Sequence, residues 1–281
     1  VKIEDGAVKK DRQTSFGAWL VAVVVVAGAI AAGVFLWRKG LQGPAAEAPA
    51  PASAATSAAP AAAASAMRHP ITDAAPAPAS TAPLPALDGS DGAVEDELAR
   101  LGGDDLAGLL LRQQIVPRIV ATVDALPRRG VATRILPLRT PAGAFAADTQ
   151  ATGATIAARN AERYAPYMRV VDAVDAGQAV AWYVRYYPLF QQAYRELGYP
   201  RGYFNDRLVA AIDDMLATPE VPQPIALVRT ETYYQFADPS LQGLSAGQKL
   251  LLRMGPDNAA KLKARLRDIR AALVGHGPAR G

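Results

Sequence analysis

Residues 16–37, FGAWLVAVVVVAGAIAAGVFLW, form an uncharged run that no water-soluble fold tolerates on its surface. As a helix rising 1.5 Å per residue it would reach about 33 Å, enough to cross a bilayer core of about 30 Å. The run splits the chain into a head (1–15), a membrane helix bounded by Phe16 and Trp37, a linker (38–92), a body (93–275) and a tail (276–281). A cleavable signal peptide has an apolar core of about 7–15 residues. Here apolar sequence continues past the Ala27-Gly28-Ala29 cleavage pattern through Val34, Phe35, Leu36 and Trp37, which predicts an uncleaved anchor. Trp19 and Trp37 stand near its two ends, where indoles favour the membrane interface. Lys2, Lys9, Lys10 and Arg12 precede the run, against Arg38 and Lys39 just after it. Cytoplasmic flanks carry the excess of Lys and Arg, so the head is expected inside and the body outside. The expected location is therefore a bacterial inner membrane with the C-terminal domain periplasmic, and the first expected partner is the lipid bilayer. Ala27, Gly28 and Ala29 each have a small residue four places on, a spacing that lets two helices approach closely as a homodimer. An Ala-rich helix also produces such spacings by chance.

After the anchor the chain is Ala, Pro, Ser and Thr, with proline recurring nine times between Pro44 and Pro85. Such a segment buries too little apolar surface to offset its ordering entropy, so 38–92 reads as a disordered Ala/Pro-rich linker. Its expected reach lies between a coil of about 40 Å and an extended limit of about 150 Å.

The body is patterned for helices. Ala93 to Leu101 and Asp104 to Arg112 read as two short ones, and Ile115, Ile119, Val120, Val123 and Leu126 make an apolar stripe ended by Pro127. Helical patterning resumes over 158–174. Asp175 with Gln178 is a cap signature opening a long helix that Pro188 should kink or break. Phe204, Leu208, Ile212 and Met215 define the clearest helix. Asp238-Pro239 reads as a cap and first turn, Ser245 with Gln248 as a capping box, and Pro256 as the start of a last helix with Leu262, Leu266, Ile269 and Leu273 in one seam. Five bases surround that seam, a solvated face rather than an anion-binding one. Residues 131–140 and 225–236 are β-branched and interrupted by turn residues, and residues 140–158 are small and polar, as in a surface wrap. The expected fold class is thus mainly α, with a small two-stranded β element pairing 131–140 with 225–236.

Composition excludes several chemistries. With no cysteine there are no disulfides, Cys-based zinc sites or thiol nucleophiles. The two histidines, His69 and His276, fall in the linker and the tail, so the body is expected to lack an imidazole to activate a serine. A Ser245–Lys249 pair at i, i+4 is conceivable, but capping explains Ser245 without it. A net charge of +4 spread along the chain does not point to nucleic acid. No cofactor is indicated, and Asp213-Asp214 with Glu220 lacks the loop and glycine of a calcium site, so no metal is either. Glycan cleavage needs two carboxylates about one bond, and Asp206, Asp213 and Asp238 are the weak candidates. Asp206 and Asp213 share the face opposite the Phe204 stripe, which reads as solvated. All ten tyrosines fall between Tyr164 and Tyr234. Tyr183, Tyr187, Phe190 and Tyr194 recur at the spacing of a packed stripe. Tyr199, Tyr203, Tyr233 and Tyr234 flank Pro/Gly turns or an edge, and are expected to be exposed and to contact a partner.

YYPLFQQAYRELGYPRGYFNDRL, FADP at 236–239 and SAGQKLLLRMGPDNAAKLKARLR resemble a proteobacterial family of unknown function. The resemblance covers the last two-thirds of the chain. It implies the same architecture, one N-terminal membrane helix, a Pro/Ala-rich linker and a domain of this size, and an envelope location; no activity comes with it. The expectation is a non-enzymatic, inner-membrane-anchored envelope protein presenting a helical interaction domain in the periplasm to a protein partner. The alternative is a domain that binds or processes peptidoglycan or another glycan through the carboxylates and tyrosines of 183–238.

Overall fold

The computed structural model describes residues 67–71, 83–151, 153–231 and 233–274. The expected membrane helix at 16–37 and the tail at 276–281 lie outside them. Among the described residues no helix is long and apolar enough to cross a membrane. The body is mainly helical, with a small antiparallel sheet.

The helices are α1 (Asp91–Leu109), α2 (Ile115–Ala125), α3 (Ala165–Ala173), α4 (Ala176–Glu196), α5 (Phe204–Leu216), α6 (Pro239–Gln242), α7 (Ala246–Arg253) and α8 (Pro256–Val274). Helix α4 is the centre, with α2 and α8 both packed on it and both also reaching α5. Its start is fixed by the Asp175 carboxylate, which accepts from the Gln178 N–H at 3.0 Å. Trp182, Tyr183, Phe190 and Tyr194 then bury one aromatic face. Of the expected stripe, Tyr183, Phe190 and Tyr194 are core, while Tyr187 is half-buried against it. Helix α8 closes the body with Leu262, Leu266, Ile269 and Leu273, all fully buried.

One helical expectation changes and another holds. Helix α4 runs unbroken through Pro188. Pro188 is exposed while Tyr186, Leu189 and Phe190 are buried, so the missing N–H costs the solvent side and packing holds the rest. The two short helices expected before residue 112 are found as the two halves of α1, separated by a break at Gly103, whose φ of 62° suits only glycine.

The expected two-stranded element is a four-stranded sheet in the order β1 (Ala147–Gln150), β2 (Gly153–Ile156), β3 (Ala226–Arg229), β4 (Tyr234–Phe236). Residues 131–140 take no part in it. They form a short 3-10 turn at Thr133–Ile135 and one bridge between Leu110 and Leu138. The surface wrap expected over 140–158 is instead the β1–β2 hairpin, with Ala147 opposite Ile156 and Gln150 opposite Gly153. Strand β3 joins β2 through Leu227 opposite Ala154 and joins β4 through Leu227 opposite Phe236. One sheet face buries Ala154, Ile156, Leu227 and Phe236 against Leu241 of α6 and Leu252 of α7.

The linker expectation also changes. Leu87 and Ser90 are buried, and Ile71 and Leu84 pack against the main core. At 67–71 the chain is held by its backbone: the Asp206 carboxylate accepts the N–H of Arg68 at 3.0 Å and of His69 at 2.8 Å, and the Asn205 amide donates to the His69 carbonyl at 2.8 Å. One histidine therefore does belong to the body. Asp206 sits in the first turn of α5, where a carboxylate is favoured by the helix dipole. Asp206→Ala is expected to speed tryptic cleavage after the exposed Arg68 while changing global stability by no more than about 1 kcal/mol. Unchanged cleavage would mean that the clamp does not hold the segment.

Candidate functional site

The residues singled out by sequence do not converge. Tyr199, Tyr203, Tyr233 and Tyr234 are half-buried rather than exposed. Tyr199 stacks on Tyr194 with ring centroids 4.5 Å apart, and its hydroxyl donates to Asp124 Oδ2 at 3.2 Å. Tyr203 immediately precedes α5, Tyr233 leads into β4, and Tyr234 lies in that strand, tilted against Phe145. Neither of the two helix carboxylates is simply solvated: Asp206 holds the 67–71 segment, and Asp213 is paired with Arg270 of α8. Asp238 caps α6, its carboxylate accepting from the Ser240 N–H at 2.8 Å. Hydrogen bonds from the Ser240 hydroxyl and from the Ser240 backbone hold its carboxyl below the usual range. Among the described residues no cluster of three or more acidic or histidine side chains could hold a metal.

Sequence reading missed Asp124, the buried hub near the end of α2. Its carboxylate accepts from Arg207 Nε at 3.0 Å and from Arg128 Nη2 at 2.5 Å, and Arg207 also donates to the Asp124 carbonyl. The hub ties α2, α5 and the Tyr199 turn together.

Ser245 and Lys249 do not form a catalytic pair. Ser245 Oγ accepts from the Gln248 N–H and donates to Asp214 Oδ2 at 2.6 Å, completing the expected capping box. Lys249 is buried, and its ammonium donates to the carbonyls of Arg129 at 3.0 Å and Gln242 at 3.3 Å. Burial, with help from Arg253 and Arg129, lowers its pKa from 10.5 to about 8. Between those two values the unfolded chain binds this proton and the folded chain does not, so stability rises with pH through that window. The slope reaches at most about 1.4 kcal/mol per pH unit. Urea unfolding at pH 7.5 and pH 10 should show this rise, and Lys249→Met should flatten it. An equal rise in the variant would assign the slope elsewhere.

Arg253, one turn beyond Lys249, opens onto a cleft of about 750 Å³. Its walls are Ile156 and Ala157 from the end of β2, Met168 of α3 and Leu252 of α7, all buried. The first turn of α8 enters it at Pro256, Asp257 and Asn258. The Arg253 guanidinium lies 5.2 Å from the Phe236 ring centroid and donates no hydrogen bond among the described residues. Burial pulls its pKa down, with Tyr164 opposing. Asn160, fully buried, fixes the backbone here by donating to the Arg253 carbonyl at 2.7 Å. A cation on the same short helix as three buried leucines was the available signal in the sequence. It becomes meaningful only once the sheet is seen to cover Leu252 while Leu250 and Leu251 face the main core.

Comparison with curated proteins and with solved structures returned no match. A family model described as "Protein of unknown function (DUF3014)" matches residues 115–270. That match takes in α2, both hairpin strands and nearly all of α8, and with them the whole cleft. With more than half its length so matched, the chain belongs to the DUF3014 family.

Proposed function

We propose that this chain is a non-catalytic binding protein of the bacterial envelope, anchored in the inner membrane by residues 16–37 and presenting its helical body in the periplasm. The uncharged run and the Lys/Arg excess before it support the placement. The observation that carries the binding role is the cleft: apolar walls of buried side chains around one guanidinium that has no hydrogen-bonding partner among the described residues. The carboxylates and tyrosines that a glycan-processing reading needs are instead engaged in caps, ion pairs and stacking.

Placement is tested by fusing alkaline phosphatase after Gly281. The fusion should be active, and a cytoplasmic reporter at the same point inactive. The reverse pattern contradicts the placement. Binding is tested by a photo-crosslinking residue at the exposed Ala165, which lines the cleft, and at the exposed Gln192 on α4. A reproducible adduct in living cells is expected from position 165 and not from 192. Adducts from both positions alike, or from neither, would remove the cleft as the contact surface, and capture of the full chain on purified peptidoglycan would restore the glycan reading.

A further inference from the structure

A guanidinium brings five N–H donors, and proteins rarely leave them desolvated without an acceptor. Arg253 is half-buried at the cleft wall and finds no acceptor among the described residues. Its ring contact with Phe236 offsets part of the desolvation but satisfies none of the donors. Lys249, one turn away, is a second cation whose bonds go to carbonyls rather than to a carboxylate, so this stretch of α7 has no counter-ion among the described residues. The positive end of α8, a helix of 19 residues, faces the same cavity. An anion is the missing partner.

The lining narrows which anion. Glu162, Asp172 and Asp257 line the cavity against the two cations Arg169 and Arg253. Arg169 is already paired with Asp105 at 2.9 Å, and Asp172 with Lys261 at 3.0 Å. A phosphate or other polyanion would meet more negative than positive charge at the lining. A single carboxylate matches the planar fork of one guanidinium and needs no further cation. The remaining wall is apolar and about 750 Å³ in extent, room for a body of several carbons or a few residues.

We propose that this cavity binds a monocarboxylate with an apolar body, its carboxylate seated on the Arg253 guanidinium and its body against Ile156, Ala157, Met168 and Leu252. The assignment rests on reading the body as a binding module and names the ligand class. Two sources share the chemistry, a short apolar acid and the C-terminus of a peptide.

The test is calorimetric titration of the full chain with hexanoate against hexanamide, with the acetylated tripeptide Ala-Leu-Val as free acid against its amide, and with inorganic phosphate. At least one acid should bind about tenfold or more tightly than its own amide, as expected when a charge-assisted bidentate pair is lost. Phosphate should bind neither the chain nor the variants. Preference for hexanoate assigns a free apolar acid, and preference for the tripeptide acid assigns a chain terminus. Arg253→Gln should abolish the difference between acid and amide, and Arg253→Lys should keep part of it. Equal binding of acid and amide, tighter binding of phosphate, no binding of either acid at millimolar concentration, or an acid preference surviving in Arg253→Gln would each overturn the assignment. If Arg253→Gln does not fold, the acid–amide comparison on the unaltered chain decides alone. Failure of every acid alongside a position-specific crosslink at 165 would refute the ligand class and leave the binding reading standing.

Discussion

Phe190→Ala is expected to lower the free energy of unfolding by about 3–5 kcal/mol, the cost of deleting a large ring that the surroundings cannot refill. Phe190 is 1% exposed and stands where α4 faces α5. Its ring lies 5.5 Å from that of Phe204 on α5, nearly parallel to it, and meets Trp182 edge-on at 5.6 Å and Tyr183 at 5.3 Å. The substitution therefore removes apolar contacts on three sides and the aromatic geometry with them, each ring pair adding about 0.5–1.5 kcal/mol beyond area. Urea unfolding of the full chain followed by circular dichroism measures the loss. A change below about 1 kcal/mol would show that the site collapses around the cavity and that α4 is not the structural centre.

The second large effect is expected at Asp124. Asp124→Ala removes the one carboxylate shared by Arg207 and Arg128 and leaves the Tyr199 hydroxyl without that acceptor. Removing one partner of a buried ion pair costs about 3–5 kcal/mol because the other charge stays desolvated. Arg128 is about half exposed and recovers water, whereas Arg207 is one-quarter exposed, so the expected loss is near the lower end, about 3 kcal/mol. Asp124→Asn should cost less, since the amide oxygen still accepts from Arg207 Nε. If Asp124→Ala and Asp124→Asn cost the same small amount, the hub contributes geometry without net stability.

What was legible in the sequence was local. The Leu262, Leu266, Ile269 and Leu273 seam, the Phe204 stripe and the caps at Asp175, Asp238 and Ser245 each express their structure within four residues, and each is found as expected. Residues 225–236 were read as extended and hold β3 and β4, but the first hairpin was not legible because ADTQ and GATI are built from small and polar residues with one isoleucine. Its β character comes from pairing with Leu227 and Ala226, some seventy positions away. The docking of 67–71 was hidden for a related reason: backbone N–H groups make the bonds to Asp206, and the backbone leaves no sequence pattern. The exposed tyrosines were misjudged because a flanking turn signals a change of direction, not exposure. Tyr199 turns back onto Tyr194 and is covered by it. Arg253 could be read as a base on a helix, but its lack of a partner is a property of the tertiary surroundings.

The most direct measurement of the central claim, binding at the Arg253 cleft, is hydrogen exchange of the full chain with and without the acetylated Ala-Leu-Val acid. The account predicts added protection confined to amides near Ile156, Ala157, Met168 and the Arg253–Asn258 turn, where the cleft is lined. Protection centred instead on Tyr199 and Tyr203, or no change in exchange anywhere, would contradict it.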